Sequence, residues 1–283
     1  MTDFLRFSYD DFEDLHTAAV FDECSLWASR FGRLLLEHMP LRRDVEILDL
    51  ACGTGFPLFE LAHMSGASCR VTGLDNWKAG IERARARLRV YQLPNVEIVE
   101  ADAAQLPFQD ERFDLLVSNL GINNFHDPQA VVTECYRVAK PGASLLLTTN
   151  PIGHMREFYA VFREVVSETG NPRYLERLAE NEAHRGSKEV LVEMLTRAGF
   201  VLATVKEDQF EMRYLDGSAL LNHWLTKIGF LEGWRGVVDR KDEERVFSEL
   251  ERRLNERARR EGELRMTVPM LYVEAEKSVG HTR

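Results

Sequence analysis

Basic residues do not dominate this chain. Of 283 residues, Lys and Arg make up 36 and Asp and Glu 46, for a formal net charge of -10. Broad binding of a phosphate backbone needs positive charge gathered on one face, yet the basic residues between 240 and 260 are interleaved with acids. Nucleic acid is therefore not an expected partner. Cysteine is scarce too: Cys24, Cys52, Cys69 and Cys135 are widely spaced and form no C-x-x-C pair. No metal site is expected, and free thiols of this kind fit a reducing, cytoplasmic setting. No apolar run is long enough to span a bilayer, so no membrane partner is expected. The N-terminus carries Asp3, Phe4, Phe7, Tyr9, Asp10 and Asp11 rather than a basic end followed by an apolar stretch, and does not read as a signal peptide.

What is present centres on one stretch, residues 45–57, with the sequence VEILDLACGTGFP. An apolar run passes an acid at Asp49, crosses a small-residue turn and enters Pro57-Leu58-Phe59-Glu60-Leu61-Ala62. That reads as a buried parallel strand, a tight loop and a helix, the first unit of a nucleotide-binding α/β sheet. Gly53 and Gly55 let backbone approach a ligand, Pro57 suits the first turn of a helix, and the open N–H groups there can receive an anion.

The same alternation continues. Residues 13–39 carry apolar positions at helical spacing up to Pro40 and predict one or two helices ahead of the sheet. Strands are expected at 45–50, 69–75, 96–100, 113–118 and 144–149. Helices are expected at 81–90 and from Pro128 to Val138, with a turn at Lys140-Pro141-Gly142. This is the pattern of a parallel sheet with right-handed crossovers. Beyond it come a helical stretch at 155–168, a charged segment to His184, and a helix capped by Ser187 and ended by Gly199. A strand at 200–206, about fifty residues of helical pattern and a last strand at 267–275 complete the chain.

Five pieces in this order resemble the class I S-adenosylmethionine-dependent methyltransferases: residues 48–55 (LDLACGTG), Gly73-Leu74-Asp75, Ala101-Asp102-Ala103 followed by Leu106-Pro107-Phe108, Phe113-Asp114, and residues 137–142 (RVAKPG). The resemblance implies an α/β, Rossmann-like three-layer fold. Its sheet would have seven mostly parallel strands with the last antiparallel, plus N-terminal helices and a helical insertion before the last strand. It implies a single methyltransferase domain over 1–283: a helical cap at 1–44, a cofactor-binding core at 45–150, and the rest of the sheet at 151–283 with a substrate lid at about 214–263. The implied cofactor is S-adenosyl-L-methionine. Its methionine end would meet Asp49, Ala51, Gly53, Gly55 and Asn119, its ribose Asp75, and its adenine Asp102 and the Ala103 N–H. Asn76 and Trp77 would lie alongside the adenosine, and Phe56 would line the pocket. Ala51 stands where the family has its first loop glycine.

Asp75 would also suit a nicotinamide-dependent dehydrogenase, but Leu58 occupies the position of the third fingerprint glycine. His126 and His154 follow the fourth and fifth strands and are candidate general bases; the alternative is that both are surface or hydrogen-bonded loop residues. Asn119-Leu120-Gly121-Ile122 lacks the Pro-Pro-aromatic tetrad of amino-directed DNA methyltransferases. The expected acceptor is a small organic molecule methylated on O, N, C or S, by a monomer or homodimer. A catalytically silent regulatory or scaffold protein remains the alternative of another class.

Overall fold

A computed structural model describes residues 3–7, 15–21 and 25–279. The elements in order are α1 (Leu15–Phe21), α2 (Ser25–His38), β1 (Glu46–Leu50), α3 (Leu58–Ser65), β2 (Arg70–Asp75), α4 (Lys78–Tyr91), β3 (Val96–Glu100), β4 (Phe113–Asn119), α5 (Pro128–Val138) and β5 (Ala139–Thr149). Then follow α6 (Arg156–Ser167), α7 (Pro172–Ala183), α8 (Lys188–Ala198), β6 (Val201–Tyr214), α9 (Gly217–Asn222), α10 (Trp224–Gly229), α11 (Leu231–Arg235), α12 (Arg240–Glu261) and β7 (Leu264–Glu276). Positions 13, 14 and 22–24 of the expected N-terminal helices, Cys24 among them, lie outside the described residues.

The strands form one sheet in the order β3-β2-β1-β4-β5-β7-β6. β1 to β5 pair in parallel, and β7 runs antiparallel to β5, with Thr149 opposite Leu271. The expected seven-stranded fold is what forms. Strand order reverses between β1 and β4, so the crevice for a ligand lies at the carboxyl ends of these two strands. β1 is a buried apolar run because helices cover both faces of a parallel sheet; Ile47, Leu48, Asp49 and Leu50 are all buried.

The chain divides into two compact units. The larger comprises Asp11–Thr149, Ser187–Glu207 and Met270–Arg283; the smaller comprises Met1–Asp10, Asn150–Gly186 and Asp208–Pro269. The core of the larger unit packs Leu48, Leu50, Leu74, Phe113, Leu116 and Leu145 with α5 and α8. That of the smaller is aromatic: Phe158 stacks on Trp234 with centroids 4.0 Å apart, and Phe247 meets both Phe162 and Phe4.

Several local readings change. Pro57 is the N-cap of α3 rather than part of its first turn. The turn at Lys140-Pro141-Gly142 is absorbed into β5. Gly142, at φ 82, carries a bulge there that shifts the pairing from Phe113 opposite Ala139 to Leu115 opposite Ser144. The charged segment before His184 contains α7, whose N-cap Asn171 accepts from the Arg173 N–H at 3.2 Å, with Pro172 opening the helix. α8 follows expectation: the Ser187 hydroxyl accepts from the Val190 N–H, and Gly199 closes the helix in the left-handed conformation.

Candidate active site

The loop after β1 turns through three left-handed residues, Ala51 (φ 59), Gly53 (φ 52) and Gly55 (φ 107). Gly55 has no room for a side chain, because a Cβ would stand 2.0 Å from the Phe59 ring. At Gly53 a Cβ would meet nothing within 4 Å, so glycine there answers to the dihedral and leaves open space over its backbone. Ala51 adopts the conformation that glycine takes without strain, at a cost of about 1–2 kcal/mol.

Asp75, at the carboxyl end of β2, anchors this loop. Its Oδ2 accepts from the Gly53 N–H at 2.8 Å and its Oδ1 from the Trp77 N–H at 2.9 Å. Burial raises its pKa, while the N–H groups of Trp77, Gly53 and Asn76 act in the opposite direction. Each oxygen keeps a second lone pair. The side of the loop is held by a contact the sequence did not signal: Arg87 Nη1 donates to the Thr54 carbonyl at 3.0 Å. Arg87 is one of several arginines on α4, and nothing in that basic helix face singles it out.

Asp49 is fully buried, and neither carboxylate oxygen has a hydrogen-bond partner. Burial pushes its pKa well up and the Asp75 charge adds to this; the Leu58 N–H, nearby but short of a hydrogen bond by distance and angle, offsets only part. An isolated buried carboxylate is costly. Two acids beside an open glycine backbone therefore suit a ligand that brings positive charge and hydroxyl groups, and the methionine amine, sulfonium and ribose of S-adenosylmethionine have those features. Its own burial, and then the same two acids, push the Cys52 thiol up, which leaves Cys52 a packing residue.

The remaining expected residues are placed as follows. Trp77 is half-buried, its ring lying across Gly80 and edge-on to Phe21 at 5.2 Å. Asn76 is exposed. Asp102 is exposed and its Oδ1 accepts from the Ala104 N–H at 2.9 Å, closing a turn, while Ala103 is buried. The Asn119 side chain is engaged within the protein: its Nδ2 donates to the Ala28 carbonyl at 3.1 Å and its Oδ1 accepts from the Thr148 hydroxyl at 2.7 Å, tying α2 to β4 and β5. Phe56 packs against α2, where its ring would stand 2.4 Å from a Cβ at Gly32.

The two histidines belong to different units. His126 is exposed in the larger unit, just before the α5 N-cap Asp127. His154 belongs to the smaller unit and is 2% exposed, and burial and the Arg185 charge lower its pKa to about 3. A ring so reluctant to take a proton is poorly suited to act as a general base near neutrality.

The fold agrees with what the chain resembles. A family model described as a methyltransferase domain matches residues 41–199, more than half of the chain. This protein belongs to that family, the class I S-adenosylmethionine-dependent methyltransferases. It is a methyltransferase with S-adenosylmethionine as cofactor. Among its relatives, the demethylmenaquinone methyltransferase of Lactococcus lactis subsp. lactis (strain IL1403) is 29% identical over 228 residues, 77% of this chain and 85% of that protein. The demethylmenaquinone methyltransferase of Geobacillus sp. (strain WCH70) is 32% identical over 184 residues, 62% and 79% of the two chains. A solved SAM-dependent methyltransferase from Aquifex aeolicus shares the fold with a TM-score of 0.54 at 21% identity, over 68% of this chain and 91% of that one.

Proposed function

We propose that this methyltransferase acts on a planar organic molecule whose nucleophilic atom ionises readily, such as a phenol or an enol. The observation that carries the methyl-donor part of the reading is the unpaired, fully buried Asp49 carboxylate at the carboxyl end of β1. S-adenosylmethionine supplies an electrophilic methyl group with a thioether leaving group. The chain's own residues then have to bind, orient and exclude water. In this reading Asp49 offsets the positive charge of the methionine end, and the Gly53–Gly55 backbone seats its carboxylate. The free lone pairs of Asp75 accept from the ribose hydroxyls, Asp102 and the Ala103 N–H meet the adenine, and Trp77 and Asn76 flank the adenosine. Ala51 and Asn119 shape the methionine end from the backbone, since the Asn119 side chain is already bonded at both of its ends.

The acceptor class is supported by the relatives named for demethylmenaquinone. An acceptor acidic enough to lose its own proton needs no strong base from the protein. Acceptor recognition is assigned to the helical segment at about 214–263, within one methyltransferase domain. No helix among the described residues is long and apolar enough to cross a membrane. A cytoplasmic protein, monomeric or homodimeric and without a nucleic-acid partner, fits the acidic balance and the buried free thiols.

The test is transfer of a labelled methyl group from S-adenosylmethionine to a cell metabolite extract. A labelled phenolic or enolic product is expected, lost with Asp49→Asn. Tight cofactor binding with no labelled product from any extract would refute catalysis and favour a regulatory role.

A further inference from the structure

Two of the family motifs, Leu106-Pro107-Phe108 and residues 137–142, are joined by one side chain of the larger unit. Arg137, in the last turn of α5, has a use for each of its guanidinium N–H donors. Nε and Nη2 form a bidentate pair with Glu134, at 2.8 and 2.7 Å. Nη2 also donates to the Leu106 carbonyl at 3.0 Å. Nη1 donates to the Phe108 carbonyl at 2.8 Å and to Asp110 Oδ1 at 2.7 Å. Glu134 returns to the same segment, its Oε2 accepting from the Leu106 N–H at 2.8 Å, so both main-chain groups of Leu106 are held. The guanidinium bonded to it keeps the Glu134 carboxyl below its ordinary pKa, and the pair stays charged at neutral pH.

The clamped segment directly follows the residues read as the adenine contact. Ahead of them, the Ala101 N–H donates to the Asp75 carbonyl at 3.0 Å. Asp102 then turns the chain, its Oδ1 accepting from the Ala104 N–H at 2.9 Å and its carbonyl from the Gln105 N–H at 3.1 Å. Residues 102–105 therefore run between a fixed point at the end of β2 and the clamp at Leu106. Asp102 is exposed, and an exposed carboxylate favours one base over another only where the backbone already holds it in place, since ordering a mobile loop consumes what the contact contributes. The Arg137 and Glu134 side chains are 32% and 21% exposed, and ion pairs open to solvent add little stability. What the planar fork supplies is geometry: it spans two carbonyls and a carboxylate at once, which a lysine ammonium does not.

We propose that Arg137 is a positioning residue for cofactor recognition. With Glu134 it fixes the backbone at Leu106 and Phe108, and so holds the Asp102 carboxylate and the Ala103 N–H where an adenine amino group and ring nitrogen can meet them. The adenine contact rests on the function proposed above; the clamp itself does not. Loss of the clamp then costs discrimination between bases, while the ribose and the methionine end keep Asp75 and the glycine loop.

Titration calorimetry with S-adenosylhomocysteine and S-inosylhomocysteine tests this. The inosine base carries a carbonyl in place of the amino group and an N–H in place of the ring acceptor, and the rest of the ligand is the same. The wild type is expected to bind the adenosine compound about tenfold more tightly or better. Arg137→Gln is expected to bring the two compounds to similar affinity, by weakening the adenosine compound and leaving the inosine one unchanged. Glu134→Gln, which keeps one acceptor oxygen, should fall between, and it decides the question if Arg137→Gln does not fold. Lys140→Met breaks the 2.7 Å bond to Asp114 elsewhere in the same motif and gives the comparison for stability. It should lower the melting temperature and keep the wild-type ratio of affinities. A wild-type ratio in both clamp variants, or a ratio lost equally in Lys140→Met, overturns the positioning role and leaves the adenine contact standing. Equal affinities already in the wild type refute the adenine contact, and the positioning role with it.

Discussion

Replacing Asp49 with Asn should make the unliganded protein more stable and the enzyme inactive. The Asp49 carboxylate is fully buried, its oxygens are unpaired, and Asp75 adds a like charge nearby. An unsatisfied buried group costs about 1–3 kcal/mol, and more when charged. Removing the charge while keeping the shape should therefore raise stability by about 1–3 kcal/mol, or roughly 2–10 °C in Tm for a chain of this size. The pH dependence has a defined sign. The folded-state pKa of Asp49 lies above its unfolded value, so the folded protein holds the extra proton. Stability then falls as pH rises from the ordinary carboxylate range through the raised pKa. Asp49→Asn should flatten that fall. A bound cation reverses the preference, so with saturating S-adenosylmethionine the wild type should gain about 2.7 kcal/mol at a hundred times Kd while the variant gains far less. Loss of a charge-assisted contact of about 1.5–3 kcal/mol lowers affinity by roughly ten- to over a hundredfold. Scanning calorimetry with and without cofactor checks all of this. A less stable unliganded variant, or one that binds the cofactor like the wild type, would refute the charge argument.

Asp75→Ala should weaken cofactor binding by a few kcal/mol or less, the scale of charge-assisted hydrogen bonds; because Asp75 also holds the Gly53 and Trp77 N–H groups, a fall in Tm should accompany it. Unchanged affinity by titration calorimetry would remove the ribose contact. Ala51→Gly should raise stability by up to about 1 kcal/mol, the left-handed strain relieved less the added unfolded-state entropy, and a lower melting temperature would show that the Ala51 methyl packs more than it strains. His154 has a folded pKa near 3 against an ordinary 6.5. Its contribution is complete above the unfolded value and is lost as pH falls through that window, at about 1.4 kcal/mol per pH unit. His154→Phe should therefore blunt acid unfolding between pH 6 and pH 3, and an unchanged acid profile would place the sensitivity elsewhere.

The parallel core was legible because its signals are local. β3 runs over the expected Val96–Glu100, and β4 extends one residue past the expected Ser118, to Asn119. β6 runs past the expected 200–206 to Tyr214, at the edge of the sheet. Phe210, Met212 and Tyr214 alternate with the exposed Glu211 and Arg213, but the exposed polar run Glu207-Asp208-Gln209 separates them from the apolar start of the strand. α7 went unread because only Tyr174 and Leu178 of its residues are buried, too thin a stripe among its charges. In the site, motif spacing singled out Asp49, Gly53, Gly55 and Asp75. It carried no sign that Asp75 is already bound to two backbone N–H groups or that Asn119 braces α2. Those are facts of distance between segments far apart in sequence.

The interrupted course of the chain sets a rule for protein engineering. The polypeptide passes from one unit to the other between residues 149 and 150, 186 and 187, 207 and 208, and 269 and 270. α8 belongs to the larger unit yet lies between two segments of the smaller one, and Phe4, fully buried against Phe247, ties the first residues to the smaller unit as well. A specificity chimera made with a related methyltransferase therefore cannot be cut as one cassette. It needs residues 150–186 and 208–269 exchanged together, with α8 kept native and the leading residues carried along with their partner. A hybrid exchanging only one of those segments joins half of one aromatic core to half of another, and should be recovered as insoluble protein rather than as an enzyme of altered preference.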